Sequence, residues 1–417
     1  MVDILPEQTP LWQSMESAAT EILSGYGYEE IRLPIIETTH LFARSIGEVT
    51  DIVEKEMYSF ADRNDESMTL RPEGTAGCVR AVVQHNLAQT PQRFWYAGPM
   101  FRYERPQKGR QRQFHQLGVE SFGVATPDQD AELIALSRQL WRRLGIDDAL
   151  TLEINNIGSA PDRARYREAL VSYLSTCREQ LDPDSQRRLD TNPLRILDSK
   201  NAETQKVLDA APVLKDYLDA ESRSEFDRLL TYLEELRIPY RVNPRLVRGL
   251  DYYNKCVFEW TTEHLGAQGT VCGGGRYDGL VATFGGRDTP AAGFAIGLER
   301  LILLMQALDI KVSSPADLYV VTADEAAFRH ALSRVDWLRD QFPELDVVQH
   351  LGGGSFKSQF KRADKSGAAW ALVYGEAEVA ANKVTLKPLR ADAEQRTIDD
   401  SDLPAFLTDY LVEAYGA

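Results

Sequence analysis

The feature that most restricts the fold is where glycine is missing. Of 28 glycines in 417 residues, none lies between Gly158 and Gly249. That stretch is rich in Arg, Asp, Glu and Leu. Its runs RARYREALVSYL and EFDRLLTYLEEL repeat apolar residues at helical spacing. It reads as a helical insertion, 159–240, between two glycine-bearing parts, 1–158 and 241–314. Beyond Pro315 the composition shifts again. DLYVVT, LDVVQH and AAWALVYG are short apolar strands separated by helical segments near 325–341 and 355–366, the βαβ alternation of a small α/β domain over 315–417.

The first part opens with Thr9 followed by Pro10, which predicts an N-cap and a proline at the first helical position. Leu11, Met15, Ala18, Ala19, Ile22 and Leu23 then share one helical face, and Gly25 and Gly27 end the helix. EEIRLPII reads as a strand whose proline places it near a sheet edge. From Arg93 to Gly123, RFWYAGPMFRYER and QFHQLGVESFG flank the polar loop PQKGRQR, which predicts a long antiparallel hairpin. Period two puts Arg102 and Glu104 opposite Phe101 and Tyr103. In the second strand it puts Phe114, Gln116, Gly118 and Glu120 opposite Leu117 and Val119. A glycine between glutamine and glutamate on a polar face leaves room for a ligand. In AAGFAIGLERLILLMQAL, Gly293, Ala295 and Gly297 share a strand face that would admit a flat ring, and the strand passes into an apolar helix.

A net charge of −16, from 47 basic and 63 acidic residues, excludes a protein that coats nucleic acid by general charge neutralisation. A nucleic-acid partner would have to meet a local patch, and Arg102, Arg105, Lys108, Arg110 and Arg112 form one within eleven residues. No apolar stretch reaches membrane-spanning length, and MVDILPEQTP lacks the basic and apolar regions of a signal peptide, so a cytoplasmic protein is expected. Cys78, Cys177, Cys256 and Cys272 lie too far apart for a metal-binding spacing and are expected to be reduced thiols.

No GxxxxGK[ST] loop is present, and GGGRYDG lacks its lysine, so a bound nucleotide would depend on arginines carried by strands and helices. Arg102, Arg248 and Arg300 are the candidates. FRYE, the basic loop and RQFHQ resemble motif 2 of class II aminoacyl-tRNA synthetases, and AAGFAIGLERL resembles motif 3. TLRPEGT, RGLDYY and GGGRYDGL are similar to signature stretches of the histidyl-tRNA synthetase family. The likeness covers nearly the whole chain. At the family's opening segment it is matched only at Asp3, Leu5 and Pro6, in a stretch that helps build the dimer.

The resemblance implies an α+β protein: a class II catalytic domain built on an antiparallel sheet, a helical insertion, and a C-terminal α/β anticodon-binding domain, assembled as a homodimer. It implies ATP-dependent joining of L-histidine to tRNA(His) through a histidyl-adenylate. Mg²⁺ would accompany ATP without a dedicated protein site. Arg102 and Arg248 would clamp the α-phosphate and carboxylate, and Arg300 the γ-phosphate. Phe114 would stack on adenine, Glu104 would contact adenine or Mg²⁺, and Arg110 and Arg112 would complete the ATP site. For histidine, Glu120 and Tyr253 would read the two ring nitrogens, since neutral imidazole offers one donor and one acceptor. Tyr252 and Tyr277 would line the wall, and Glu73, Gly74, Thr75 and Gln116 would surround the amino and carboxylate groups. The basic loop would close over ATP or the tRNA end, and the insertion would touch the acceptor arm. Lys357, Lys361, Arg362 and Lys365 are candidates for the anticodon face. The alternative is a non-charging regulatory paralogue from histidine biosynthesis. It is disfavoured because such paralogues typically lack the anticodon domain and have eroded histidine motifs.

Overall fold

The computed structural model describes residues 2–47, 50, 52–266, 269–312 and 316–415. The boundary expected at 314/315 lies outside the described residues. The chain divides into two compact units, Met1–Val312 and Ser313–Ala417.

The first unit opens with α1 (Thr9–Gly25), which buries Leu11, Trp12, Met15, Ala18, Ala19 and Leu23. The cap differs from the sequence expectation. Gln8 is the N-cap and Thr9 the first helical residue, its hydroxyl donating to the Pro6 carbonyl at 2.9 Å. The amides of Gln8 and Thr9 both donate to Leu5 O, so a turn leads directly into the helix.

EEIRLPII does not form one strand. β1 (Glu29–Glu30) is an edge strand of the large sheet. β2 (Ile36–Thr38) joins β3 (Tyr58–Ala61) and β4 (Ser67–Leu70) in a separate sheet of order β2-β4-β3. Pro34, which has no N–H for a ladder, separates them. The large sheet continues with β5 (Gln92–Phe101), β6 (Gln113–Phe122), β7 (Thr151–Asn156), β8 (Tyr240–Val242), β9 (Asn254–Thr261), β10 (Thr270–Arg276) and β11 (Ala291–Gly297). Its order is β1-β5-β6-β11-β10-β9-β7-β8. The six central strands are antiparallel, and only the short edge strands β1 and β8 pair in parallel.

The expected hairpin is β5 and β6, in register from Gln92↔Phe122 to Phe101↔Gln113. The first strand ends earlier than the alternation suggested. Arg102 N still donates to Arg112 O, but Glu104 N donates back to Arg102 O and turns the chain. Tyr103, expected beside Phe101, is 54% exposed.

The sheet separates two apolar clusters. On one face, Leu117 and Val119 of β6, Phe258 and Trp260 of β9, and Phe294 and Ile296 of β11 pack with α1. Among the further helices α2 (Thr39–Ile46), α3 (Thr75–Gln84) and α4 (Pro127–Arg143), α4 adds Leu133, Ile134, Leu140 and Trp141 to that cluster. On the other face, Phe94, Tyr96 and Phe122 meet α3 and the helical segment. That segment comprises α5 (Ala160–Thr176), α6 (Pro183–Thr191), α7 (Ala202–Leu208) and α8 (Ala220–Glu235), of which α8 packs instead on α4, its Leu229 and Leu233 joining the first cluster. After α9 (Leu280–Thr283), β11 runs directly into α10 (Leu298–Ala307), with Leu298, Leu301, Ile302 and Met305 buried.

In the second unit β12 (Leu318–Thr322), α11 (Glu325–Gln341), β13 (Val347–Gln349), α12 (Phe356–Lys365) and β14 (Trp370–Tyr374) realise the expected βαβ alternation, with β12 paired in parallel to both neighbours. After α13 (Glu376–Ala380), β15 (Lys383–Pro388) and β16 (Arg396–Asp399) add an antiparallel edge, and α14 (Leu403–Tyr415) follows.

Candidate active site

The second face of the large sheet carries an open cavity. Glu120 lies beneath it at 1% exposure. Its Oε1 accepts from Thr75 Oγ1 at 2.7 Å and from Tyr96 OH at 2.9 Å, and its Oε2 accepts from Tyr277 OH. Burial pushes the carboxyl up to about 8, against the pull of the three hydroxyls, and nearby Glu73 adds to the rise. Burial likewise raises the phenols of Tyr96, Tyr252, Tyr253 and Tyr277, which therefore remain donors at neutral pH.

Two glycines shape this floor differently from the sequence expectation. The space beside Gly118 is filled by the ring of Tyr96, its partner across the hairpin: a Cβ at residue 118 would stand 2.1 Å from Tyr96 Cζ. At Gly293 a Cβ would stand 2.0 Å from Glu120 Oε2, so that glycine makes room for the carboxylate rather than a flat ring. Ala295 and Gly297 do line the cavity.

Glu73 is buried at the start of α3, where its oxygens accept from the amides of Thr75 at 2.7 Å and Ala76 at 2.9 Å. It thus caps the helix and lines the cavity together. Burial raises its carboxyl, while those amides and Arg102 act in the opposite direction. The Gln116 amide oxygen is buried without a hydrogen-bond partner, a group ready to accept from a ligand.

Three guanidinium groups surround the opening. Arg102 donates to Pro72 O at 2.8 Å and lies over the Phe114 ring at 5.2 Å. Arg248 pairs with Glu259 of β9, while its Nε has no partner. Burial opposes the Arg248 charge, but Glu259 and the tyrosines at 252 and 253 outweigh it and hold the group charged. Arg300 donates to Gly109 O at 3.2 Å and Thr270 O at 2.8 Å, tying α10 to the hairpin loop and to β10. Burial and then Arg110 lower its affinity for the proton.

Of the sequence candidates, Glu73, Thr75, Arg102, Glu104, Arg110, Phe114, Gln116, Arg248, Tyr252, Tyr253 and Arg300 line the cavity. Glu120 and Tyr277 lie below it, and Gly74 packs against Tyr96. Arg112 is not brought to the lining; its guanidinium stacks on Tyr103 at 3.9 Å. Sequence reading missed Tyr96, Glu259 and Glu299. Glu299 lines the cavity and accepts from His115 N at 2.9 Å. A lone acid among apolar residues in KCVFEWTT was the readable signal for Glu259.

A family profile described as histidyl-tRNA synthetase matches residues 1–301, and one described as an anticodon binding domain matches residues 318–410. The crystal structure of apo S. aureus histidyl-tRNA synthetase is similar at 36% identity and a TM-score of 0.81, covering 97% of each chain. Histidyl-tRNA synthetase from Nostoc sp. PCC 7120 shares the fold at 21% identity and a TM-score of 0.72, over 99% of this chain and 98% of that one. A Bacillus halodurans C chain described as an ATP phosphoribosyltransferase regulatory subunit/histidyl-tRNA synthetase shares it at 22% identity and a TM-score of 0.65, over 90% of this chain and 97% of that one. With both profiles matched in order, and a relative at 36% identity along almost its full length, the chain belongs to the histidyl-tRNA synthetase family.

Proposed function

We infer that this chain activates L-histidine with ATP and transfers it to tRNA(His). The observation that carries the reading is the buried carboxyl of Glu120, held by three hydroxyls beneath a cavity that Arg102, Arg248 and Arg300 surround. A histidine carboxylate oxygen attacks the α-phosphorus of ATP, and the bond to pyrophosphate breaks. The 3′-terminal ribose of the tRNA then takes the histidyl group and AMP leaves. Such phosphoryl transfer is governed by positioning and charge stabilisation.

Arg102 and Arg248 hold the α-phosphate and carboxylate, and Arg300 the γ-phosphate. Guanidinium suits these posts because its fork meets two oxygens and stays charged. Phe114 stacks on adenine, with Glu104 and Arg110 beside it. Arg112, stacked on Tyr103, acts at the margin of the ATP site. Glu120 and Tyr253 read the imidazole nitrogens. Tyr252 and Tyr277 enclose the ring, while Glu73, Gly74, Thr75 and Gln116 surround the amino and carboxylate groups. Mg²⁺ carried by ATP would supply charge neutralisation at the phosphates, and the lining carboxylates that could contact it are Glu73, Glu104 and Glu299. The protein works as a cytoplasmic homodimer, and no helix among the described residues is long and apolar enough to cross a membrane.

The regulatory alternative is the weaker reading, because residues 318–410 match an anticodon-binding domain. Amino-acid-dependent exchange of pyrophosphate into ATP, run separately with each of the twenty amino acids, tests the assignment. Exchange with histidine alone is expected. Its absence in folded, dimeric protein would support the regulatory reading instead.

A further inference from the structure

Between β8 and β9 the chain runs from Asn243 to Tyr253 without helix or strand, and this irregular segment carries Arg248. The scaffold holds its start: Asn243 N donates to Ile154 O at 2.9 Å, and Asn155 Nδ2 donates to Leu246 O at 3.0 Å, both from β7. Polar contacts on either side of Arg248 come from the helical segment. Arg245 donates to Gln205 Oε1 of α7 at 2.6 Å and to Asp209 Oδ1 at 2.5 Å. Asp251 Oδ1 accepts from Asn192 Nδ2 at 3.0 Å. Asp251 is seated from behind by Ile46, whose carbonyl accepts its amide at 3.1 Å. It also packs on Gly47, where φ is +101° and a Cβ would stand 2.4 Å from Asp251 Oδ2. Leu246 and Val247 are buried in the same apolar cluster as Ile196 and Leu197.

The helical segment therefore grips both flanks of Arg248 without lining the cavity that holds Glu73, Gln116 and Arg300, although its Arg188, Asn192 and Arg195 line an adjoining pocket together with Arg102, Glu104 and Arg110. We propose that it is a positioning element for Arg248. Asn192 through Asp251, and Gln205 with Asp209 through Arg245, fix the backbone from which the guanidinium meets the reacting groups. This rests on the role given above to Arg248. An irregular segment with few hydrogen bonds of its own takes its position from its neighbours. The reaction is sensitive to that position, since a displacement of about 1 Å can cost about 10²-fold in rate.

Histidine-dependent pyrophosphate exchange tests this with Asn192→Ala, Asp251→Ala, the double variant and Asp251→Asn. Each alanine variant should lower kcat about tenfold, leaving KM for ATP and histidine within about twofold, because position rather than binding is lost. The double variant should be no worse than either single, the signature of one shared contact. Asp251→Asn keeps an acceptor for Asn192 and should recover most of the rate. Should Asp251→Ala fail to fold, Asn192→Ala combined with Asp209→Ala loosens both flanks from the helical side and should show the same kcat loss. Unchanged kcat in folded Asn192→Ala, or additive losses in the double variant, overturns the proposal if Arg248→Ala itself falls by about 10² or more. A silent Arg248→Ala would instead remove the role of Arg248 and this proposal with it.

Discussion

At the scale of single residues, Glu120 carries the clearest expectations. Its oxygens accept three hydroxyl hydrogen bonds, so an amide in its place must turn an N–H₂ toward at least one hydroxyl. Glu120→Gln should therefore lose selectivity for histidine by about 10²-fold or more in kcat/KM against other amino acids, part of what a hydrogen-bonding pocket commands. Wild-type discrimination in this variant would remove Glu120 from imidazole reading. A second expectation concerns pH. The carboxyl is raised to about 8 by burial, so the ligand-free folded protein binds a proton there that the unfolded chain has released. Stability from this group is thus undiminished below the unfolded value near 4.5, falls as pH rises toward 8, and is level above it. The melting temperature of Glu120→Gln relative to wild type should climb between about pH 5 and 8; a constant difference would contradict the raised carboxyl. Most of the lining was legible because arginines, tyrosines and glutamates stood in short recognisable runs. Tyr96 was not, because its part depends on lying opposite Gly118 in a register that only the folded hairpin fixes. Glu259 enters through its ion pair with a residue eleven positions earlier in the chain.

At the scale of elements, the hairpin was legible because alternation and a polar loop agree. Its core face, Leu117 and Val119, and its cavity face, Gln116 and Glu120, fall as period two requires. The split of EEIRLPII was not legible, since a proline near a strand edge does not say that the strands on either side join different sheets. Gly118 shows how a correct observation led to the wrong occupant: the room it leaves is taken by Tyr96, not by a ligand. Gly118→Ala consequently forces the Tyr96 ring to move and with it the hydrogen bond to Glu120. We expect a loss of about 1–3 kcal/mol in stability, as for other overpacked interiors, together with a raised KM for histidine. Thermal unfolding and exchange kinetics read the two separately. A variant with unchanged stability and KM would show that the ring is free to relocate.

At the scale of the whole molecule, the two units answer to different physical demands. The second unit's βαβ pattern was legible in outline because its buried strands are short apolar runs, but which of its side chains meet RNA is a matter of exposure, which alternation does not report. The chain's net charge of −16 repels a polyanion, so attraction has to be local. In α12, Lys357 and Lys361 are exposed on a helix that also carries Arg362 and Lys365, and exposed Phe356 lies 6.1 Å from Phe360. Reversing Lys357 and Lys361 to glutamate should raise KM for tRNA(His) about tenfold near physiological salt and flatten its salt dependence by about one to two logarithmic units per decade, as expected when phosphate contacts are lost. Histidine-dependent pyrophosphate exchange involves no tRNA and should stay within about twofold, because the groups proposed to form the adenylate belong to the first unit. Charging kinetics at two salt concentrations, run beside the exchange assay, separate these outcomes. An unchanged tRNA KM would place the anticodon face elsewhere on the second unit. A parallel fall in exchange would mean that the charge reversal acts on the protein's fold rather than on RNA.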